Sequence, residues 1–190
     1  MSFADCFVAA NKLRERGFSA WALHPGMRFG AAKVWWGDEA SRTRPHEGVD
    51  LYRYLDAAGQ PHCLGPGALI PSVLPGKVAG LFPDLIAQSL LMIHEDLHQE
   101  GRQLYSIVAH VEVAPHVVPG QDYPGGTMVA RLFQSRRARV PAHLHVSLLV
   151  AGGPLPQPLT WPRIVSSDDI RFLDPELYLD LGACHVYSEA

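Results

Sequence analysis

The chain reads as a mainly β protein: an antiparallel β-sheet or sandwich domain, with an N-terminal helix before it and a C-terminal extension after it. Glycine (17) and proline (16) are dense enough in its 190 residues to cut most of it into runs too short for helices. Between those breaks lie short stretches rich in Val, Ile, Leu and Tyr. In 104–113 and 143–150 the side chains alternate in character with the period of two that marks a half-buried strand.

The elements follow in order. Residues 3–16 carry Phe3, Phe7, Ala10 and Leu13 at helical spacing, and Gly17 is placed to stop the helix. Strands are expected over 31–36, 48–54, 68–73, 76–81, 87–94, 104–113, 127–133 and 143–150. Leu74-Pro75-Gly76 is a tight turn, with Pro and Gly suited to its two central positions. Residues 95–103 read as a polar hairpin loop, and 152–162 as a Pro-rich surface wrap leading to a terminal segment around Leu173 to Leu181. The expected organisation is an N-terminal helical segment (1–28), a β domain (29–150) and a C-terminal extension (151–190).

Composition bounds the function. At 47% hydrophobic and 18% charged residues the chain is globular rather than disordered, with enough length for one well-filled core. A net charge of −3 argues against nucleic acid as a partner, since such proteins carry a basic face. Cys6, Cys63 and Cys184 show no C-x-x-C pairing and read as reduced thiols. No run approaches the roughly 20 apolar residues that span a bilayer. The start lacks a secretory pattern: Asp5 comes early, and Lys12, Arg14 and Arg16 follow the brief apolar stretch instead of preceding it. A cytoplasmic location is therefore expected, unless translation begins upstream. Oligomeric state leaves no mark in the sequence.

Five residues in the middle of the chain carry chemistry. His46-Glu47-Gly48-Val49-Asp50 is an H-x-G-x-D pattern, His110 lies in an apolar strand, and His143-Leu144-His145 is an H-x-H pair. In an extended chain His143, His145 and Ser147 share one face, as do His46, Gly48 and Asp50. Gly48, without a side chain, lets another group approach between His46 and Asp50. His110 would share the wetter face of its strand with Ser106, Val108 and Glu112. Each feature alone has an ordinary reading: packed or surface histidines, a surface His–Asp pair, a half-buried strand histidine. Together, two imidazoles and a carboxylate suffice for a borderline metal such as zinc with one position open to water. Two histidines then remain to handle protons.

The order and spacing of these motifs resemble the lysostaphin/LytM-type zinc metallopeptidases, over roughly residues 29–150. The likeness includes Phe29-Gly30 ahead of the first motif, the turn from Ile70 to Val78, and Gly120-Gln121 with Gly126-Thr127-Met128-Val129. It implies a small antiparallel β scaffold with a long groove, and hydrolysis of a peptide or peptidoglycan-like substrate. Carried over by position, it implies Zn2+ held by His46, Asp50 and His145, with His110 and His143 as the catalytic pair. The departures lie around the groove. Ala31 and Ala32 stand where the family often has an arginine, and Val108 replaces a tyrosine. Val146-Ser147 follows H-L-H in place of Phe-Glu, and Phe133 to Arg139 replaces a glycine-rich loop.

Arg136, Arg137 and Arg139 of that loop precede the H-x-H strand and could bind an anionic group of the substrate; a solvated connector is the alternative. A second functional reading is a catalytically idle, metal-binding member that serves as a peptide- or partner-binding module. A cupin-type oxygenase would need a glutamate three or four residues after His145, where Leu148 and Leu149 stand. His24, His62, His94, His98, His116 and His185 fit no ligand spacing as well.

Overall fold

The computed structural model describes residues 1–135 and 140–187. Helix α1 (Phe3–Ala10) is followed by β1 (Phe18–Leu23), β2 (Val49–Leu51), β3 (Arg53–Asp56), β4 (Pro61–Cys63), β5 (Leu69–Pro71) and β6 (Gly76–Pro83). Then come β7 (Gln88–Gln99), β8 (Arg102–Val113), β9 (Asp122–Tyr123), β10 (Met128–Leu132), β11 (Leu144–Ala151), α2 (Trp161–Val165), β12 (Ile170–Leu173) and β13 (Cys184–Val186). The fold is mainly β with antiparallel sheets and an N-terminal helix, as the breaker-rich sequence implies.

A large sheet runs β12-β11-β8-β7-β6-β9, with β2 also on β11 and β10 joining β8 to β5. A small sheet runs β13-β1-β3-β4, and β1–β13 is a parallel pair. Alternation sorts the large sheet's side chains onto two faces. Leu90 and Met92 of β7, Leu104 and Val108 of β8, and Leu144, Val146, Leu148 and Val150 of β11 enter the main core. That core also holds Phe7 of α1 and Trp21 and Leu23 of β1, so helix and small sheet cover this face. On the other face Leu91, Tyr105, Ile107, Ala109, Leu149 and Ala151 pack with Phe82 and Ile164 of α2. Burying each such large side chain stabilises the fold by roughly 1.5–3 kcal/mol.

Several elements depart from expectation. The helix ends at Ala10 rather than at residue 16. Asn11 turns its amide into a bridge, its Nδ2 donating to Phe7 O and Leu69 O (2.9 and 2.8 Å) while Leu69 N–H donates to its Oδ1 (2.7 Å). Gly17 does end the following 3-10 turn, at φ 83°. β1, in a segment read as helical, was not anticipated.

The expected strand 31–36 is an irregular loop with a single bridge, Lys33 to Ser41. Gly37 and Glu39 at positive φ turn it back, and its tryptophans pack toward the site instead of lengthening a sheet. The expected strand 48–54 breaks at Tyr52, so that β2 joins the large sheet and β3 the small one. The expected loop 95–103 is mostly strand; only Glu100-Gly101 turns, both at positive φ (53° and 75°), as a tight two-residue hairpin requires. The C-terminal region contributes β12, beside β11, and β13, beside β1. Among the described residues no helix is long and apolar enough to cross a membrane.

Candidate metal centre

Strand register assembles the site. β2 runs antiparallel to β11 with Asp50 directly opposite His145, while Val49 and Leu51 face Val146 and Leu144 in the core. On the other edge of β11, Ala109 of β8 stands opposite His145. His46 precedes β2 and is tied by its backbone to Gly30 and Ala31 (2.8 and 3.0 Å).

These contacts bring three polar atoms together. His46 Nε2 is 3.1 Å from His145 Nδ1 and 3.3 Å from Asp50 Oδ1, and the last two are 2.9 Å apart. Each residue's other polar atom is already engaged. His46 Nδ1 faces Arg28 O (3.1 Å), His145 Nε2 faces Ser147 Oγ (2.8 Å), and Asp50 Oδ2 accepts from Trp35 Nε1 (2.7 Å). Such partners fix the ring and carboxylate orientations, so each residue turns one potential ligand atom inward, free to bind a cation once its proton has left. Tetrahedral ligands about 2.0–2.2 Å from an ion stand about 3.3–3.6 Å apart. The observed triangle needs to open by only a few tenths of an ångström. Two imidazoles and a carboxylate suit zinc, and these residues fit it.

Burial and charge set the electrostatics. Desolvation opposes ionisation of Asp50, but His46, His143 and His145 together hold its carboxyl well below the usual range. Desolvation also opposes charge on His46, yet Asp50 outweighs it and raises the pKa. Burial lowers His145, against the pull of Asp50. Burial pushes His143 down to about 4, again against Asp50, so this ring is neutral near pH 7. His143 donates from Nδ1 to Pro141 O (2.8 Å), and its Nε2 lies 3.8 Å from Asp50 Oδ1.

His110 reaches the site by a route that alternation does not foresee. In the β7–β8 pairing Ser89 faces Ala109 and Gln88 faces Val111, so His110 is an extra residue, a β-bulge at φ 64°. Strict alternation would send His110 to the main-core face with Val108. The bulge instead leaves its ring 4.8 Å from that of His143 and 5.9 Å from that of His145, and Val111 returns to the core. The expected partnership of His110 with Ser106, Val108 and Glu112 on one wet face is thereby corrected: Val108 is in the main core, and Ser106 is buried against His94 (2.9 Å).

A cavity of about 420 Å³ opens over the five residues, walled by Trp36, Arg42, Asp84, Leu85 and Trp161. Three of the residues around the site gave no signal in the sequence. Trp35 falls in the expected strand 31–36 and Trp161 in the Pro-rich stretch 152–162, while Asp84 belongs to no motif of the sequence. Trp161 sets its ring edge-on to His145 at 5.5 Å and donates from Nε1 to Ser89 Oγ (2.9 Å). Asp84 faces His110, and that partnership holds its carboxyl well below the usual range in spite of burial. Arg136, Arg137 and Arg139 lie outside the described residues.

The sequence matches no family model and no curated protein. Solved structures do resemble the fold. LytU is 19% identical with a TM-score of 0.51, over 80% of this chain and 81% of that one. Lysostaphin in its solution structure is 14% identical with a TM-score of 0.51, over 92% of this chain and 58% of that one. The catalytic domain of the antimicrobial peptidase lysostaphin from Staphylococcus simulans is 14% identical with a TM-score of 0.49, over 90% of this chain and 97% of that one. At such identities the likeness is one of fold.

Proposed function

We propose that this chain is a zinc-dependent peptide hydrolase acting on peptidoglycan-like or other peptide bonds, with His46, Asp50 and His145 as metal ligands and His110 and His143 as the catalytic pair. One observation carries the reading: two imidazole nitrogens and a carboxylate oxygen, all buried, converge within 3.3 Å of one another, each on a side chain whose other polar atom is already engaged. A fold shared with lysostaphin and LytU supports it.

A zinc ion bound there supplies a Lewis acid and lowers the pKa of its water from about 15.7 toward about 7. The protein does the rest. Asp50 balances part of the cation's charge, and Trp35 and Ser147 keep Asp50 and His145 from rotating away. His143, neutral and buried, presents Nε2 as a proton acceptor; His110, less buried, can take a proton from the attacking water and return it to the leaving amine. Trp36 and Trp161 give the cavity an apolar wall, and the lower local polarity there strengthens polar contacts beside it.

Metal analysis of protein purified without added metal, paired with cleavage of cell-wall fragments and generic peptides with and without chelator, tests this reading. One equivalent of zinc and chelator-sensitive cleavage are expected. Zinc bound without cleavage of any substrate would favour the idle peptide- or partner-binding module. Failure to bind zinc would overturn both.

A further inference from the structure

We infer that Asp84 is the positioning residue for His110, clamping it at backbone and ring, and that Ser89 and Trp161 lock the clamp to the C-terminal region. The role in catalysis rests on the hydrolase reading above; the clamp itself does not.

Asp84 lies in the turn between β6 and β7, and its side chain is 1% exposed. Its Oδ1 accepts from Ile86 N (2.8 Å) and Ala87 N (2.7 Å), which is all that shaping the turn requires. Its second oxygen is committed elsewhere. Oδ2 accepts from the backbone N–H of His110 (2.9 Å), 26 residues away, and from Ser89 Oγ (3.0 Å). Ser89 Oγ in turn accepts from Trp161 Nε1 (2.9 Å), on the first turn of α2. A chain of hydrogen bonds thus runs from the cavity wall through Ser89 and Asp84 to the bulge that carries His110.

The bulge needs such an anchor. A histidine at φ 64° sits in a left-handed region that residues other than glycine seldom adopt, and its N–H has turned from the ladder to Asp84. The carboxylate satisfies that N–H. It also stands 3.2 Å from His110 Nδ1, a buried atom with no hydrogen-bond partner among the described residues. The two atoms lie within hydrogen-bonding distance but are not aligned for a hydrogen bond as they stand. An ionised carboxylate on Nδ1 selects the Nδ1–H tautomer and leaves Nε2 as the ring's lone-pair nitrogen, the form a proton acceptor requires.

The tautomer can be read directly. In zinc-loaded, 15N-histidine-labelled protein at about pH 8, long-range proton–nitrogen spectra should show His110 protonated at Nδ1. An Nε2–H ring in the unaltered protein would overturn the proposal, whether or not cleavage is ever found. Asp84→Asn should shift His110 toward the other tautomer and lower kcat roughly 10- to 100-fold, with zinc content and KM little changed. In a His110→Ala background the same change should cost no further activity. An equal loss in both backgrounds would show a merely structural carboxylate and overturn the positioning role. Should Asp84→Asn fail to fold, Ser89→Ala, which removes one donor to Oδ2, supplies a milder version: a partial tautomer shift supports the clamp, and none overturns the locking role of Ser89.

Discussion

A Cβ placed on Gly48 would stand 2.7 Å from Nε2 of His145 and collide with the carbonyl of Val146. The glycine of H-x-G-x-D is therefore the gap through which β11 presents its histidine to the other two residues of the triangle. Gly48→Ala should displace the His145 ring or push β2 off β11. The expected result is zinc affinity lower by about 10- to 100-fold and stability lower by about 1–3 kcal/mol. Metal titration and thermal melts with chelator present would read the two effects separately.

Trp35 Nε1 is the only hydrogen-bond donor found at Asp50 Oδ2 among the described residues. Trp35→Phe keeps much of the ring contact with His143 and Tyr52 but leaves that buried carboxylate oxygen without its hydrogen bond, with the Arg42 guanidinium 4.0 Å away. A loss of about 1.5–3 kcal/mol follows from the charged hydrogen bond, with zinc affinity falling roughly 10-fold or more. Asp50→Ala should lose the metal outright, whereas His110→Ala should keep it. Equal metal loss in Asp50→Ala and His110→Ala would show that the division between ligands and proton-handling residues is wrong.

Much of the site was legible in the sequence because it depends on strand periodicity. His145 and Ser147 share a face by the rule of two, and Asp50 meets His145 by direct cross-strand pairing. The orientation of His110 was not legible: the bulge arises where β8 passes from β11 to β10, and that hand-over depends on residues far apart in the chain. The same holds for Val34-Trp35-Trp36, whose β propensity is overridden by the demand for aromatic cover around His143. Asp84 and Trp161 carry no periodic signal. Their importance comes from what the β6–β7 turn and α2 happen to touch.

Acid should weaken the metal-free protein. His143 has a folded pKa of about 4 against an ordinary 6.5, and burial lowers His94 as well. Between those two values the unfolded chain binds more protons at His143 than the folded one, so stability rises with pH across that window. Full stability is present above pH 6.5 and is lost progressively down to about pH 4, by about 3 kcal/mol for His143. His46, with a raised pKa, works in the opposite sense and offsets part of the loss. Melting temperatures in chelator from pH 7.5 to 4.5 should fall, and His143→Gln should flatten the curve. An unchanged slope in that variant would place the acid-sensitive group elsewhere.

Trp161 belongs to a region outside the span of sequence resemblance, yet its ring packs between Phe82 (6.0 Å) and His145 (5.5 Å) and walls the cavity. If the wall only covers the fold, Trp161→Ala should reduce stability and leave the kinetics of the surviving folded enzyme alone. If it holds substrate against the metal centre, KM should rise several-fold, while kcat falls through the loosened His145 ring. The geometry favours the second outcome, because among the described residues Trp161 is the one large apolar ring against His145, whose other ring neighbours are the imidazoles of His46 and His110. Trp161→Phe separates the two contributions of the indole: it retains most of the wall and loses only the hydrogen bond to Ser89. Its KM should therefore stay near that of the unaltered enzyme, with a stability cost of about 1 kcal/mol. Steady-state kinetics on one peptide substrate, with melts of the same three proteins, would decide. A KM unchanged in Trp161→Ala would leave the indole as structural cover alone.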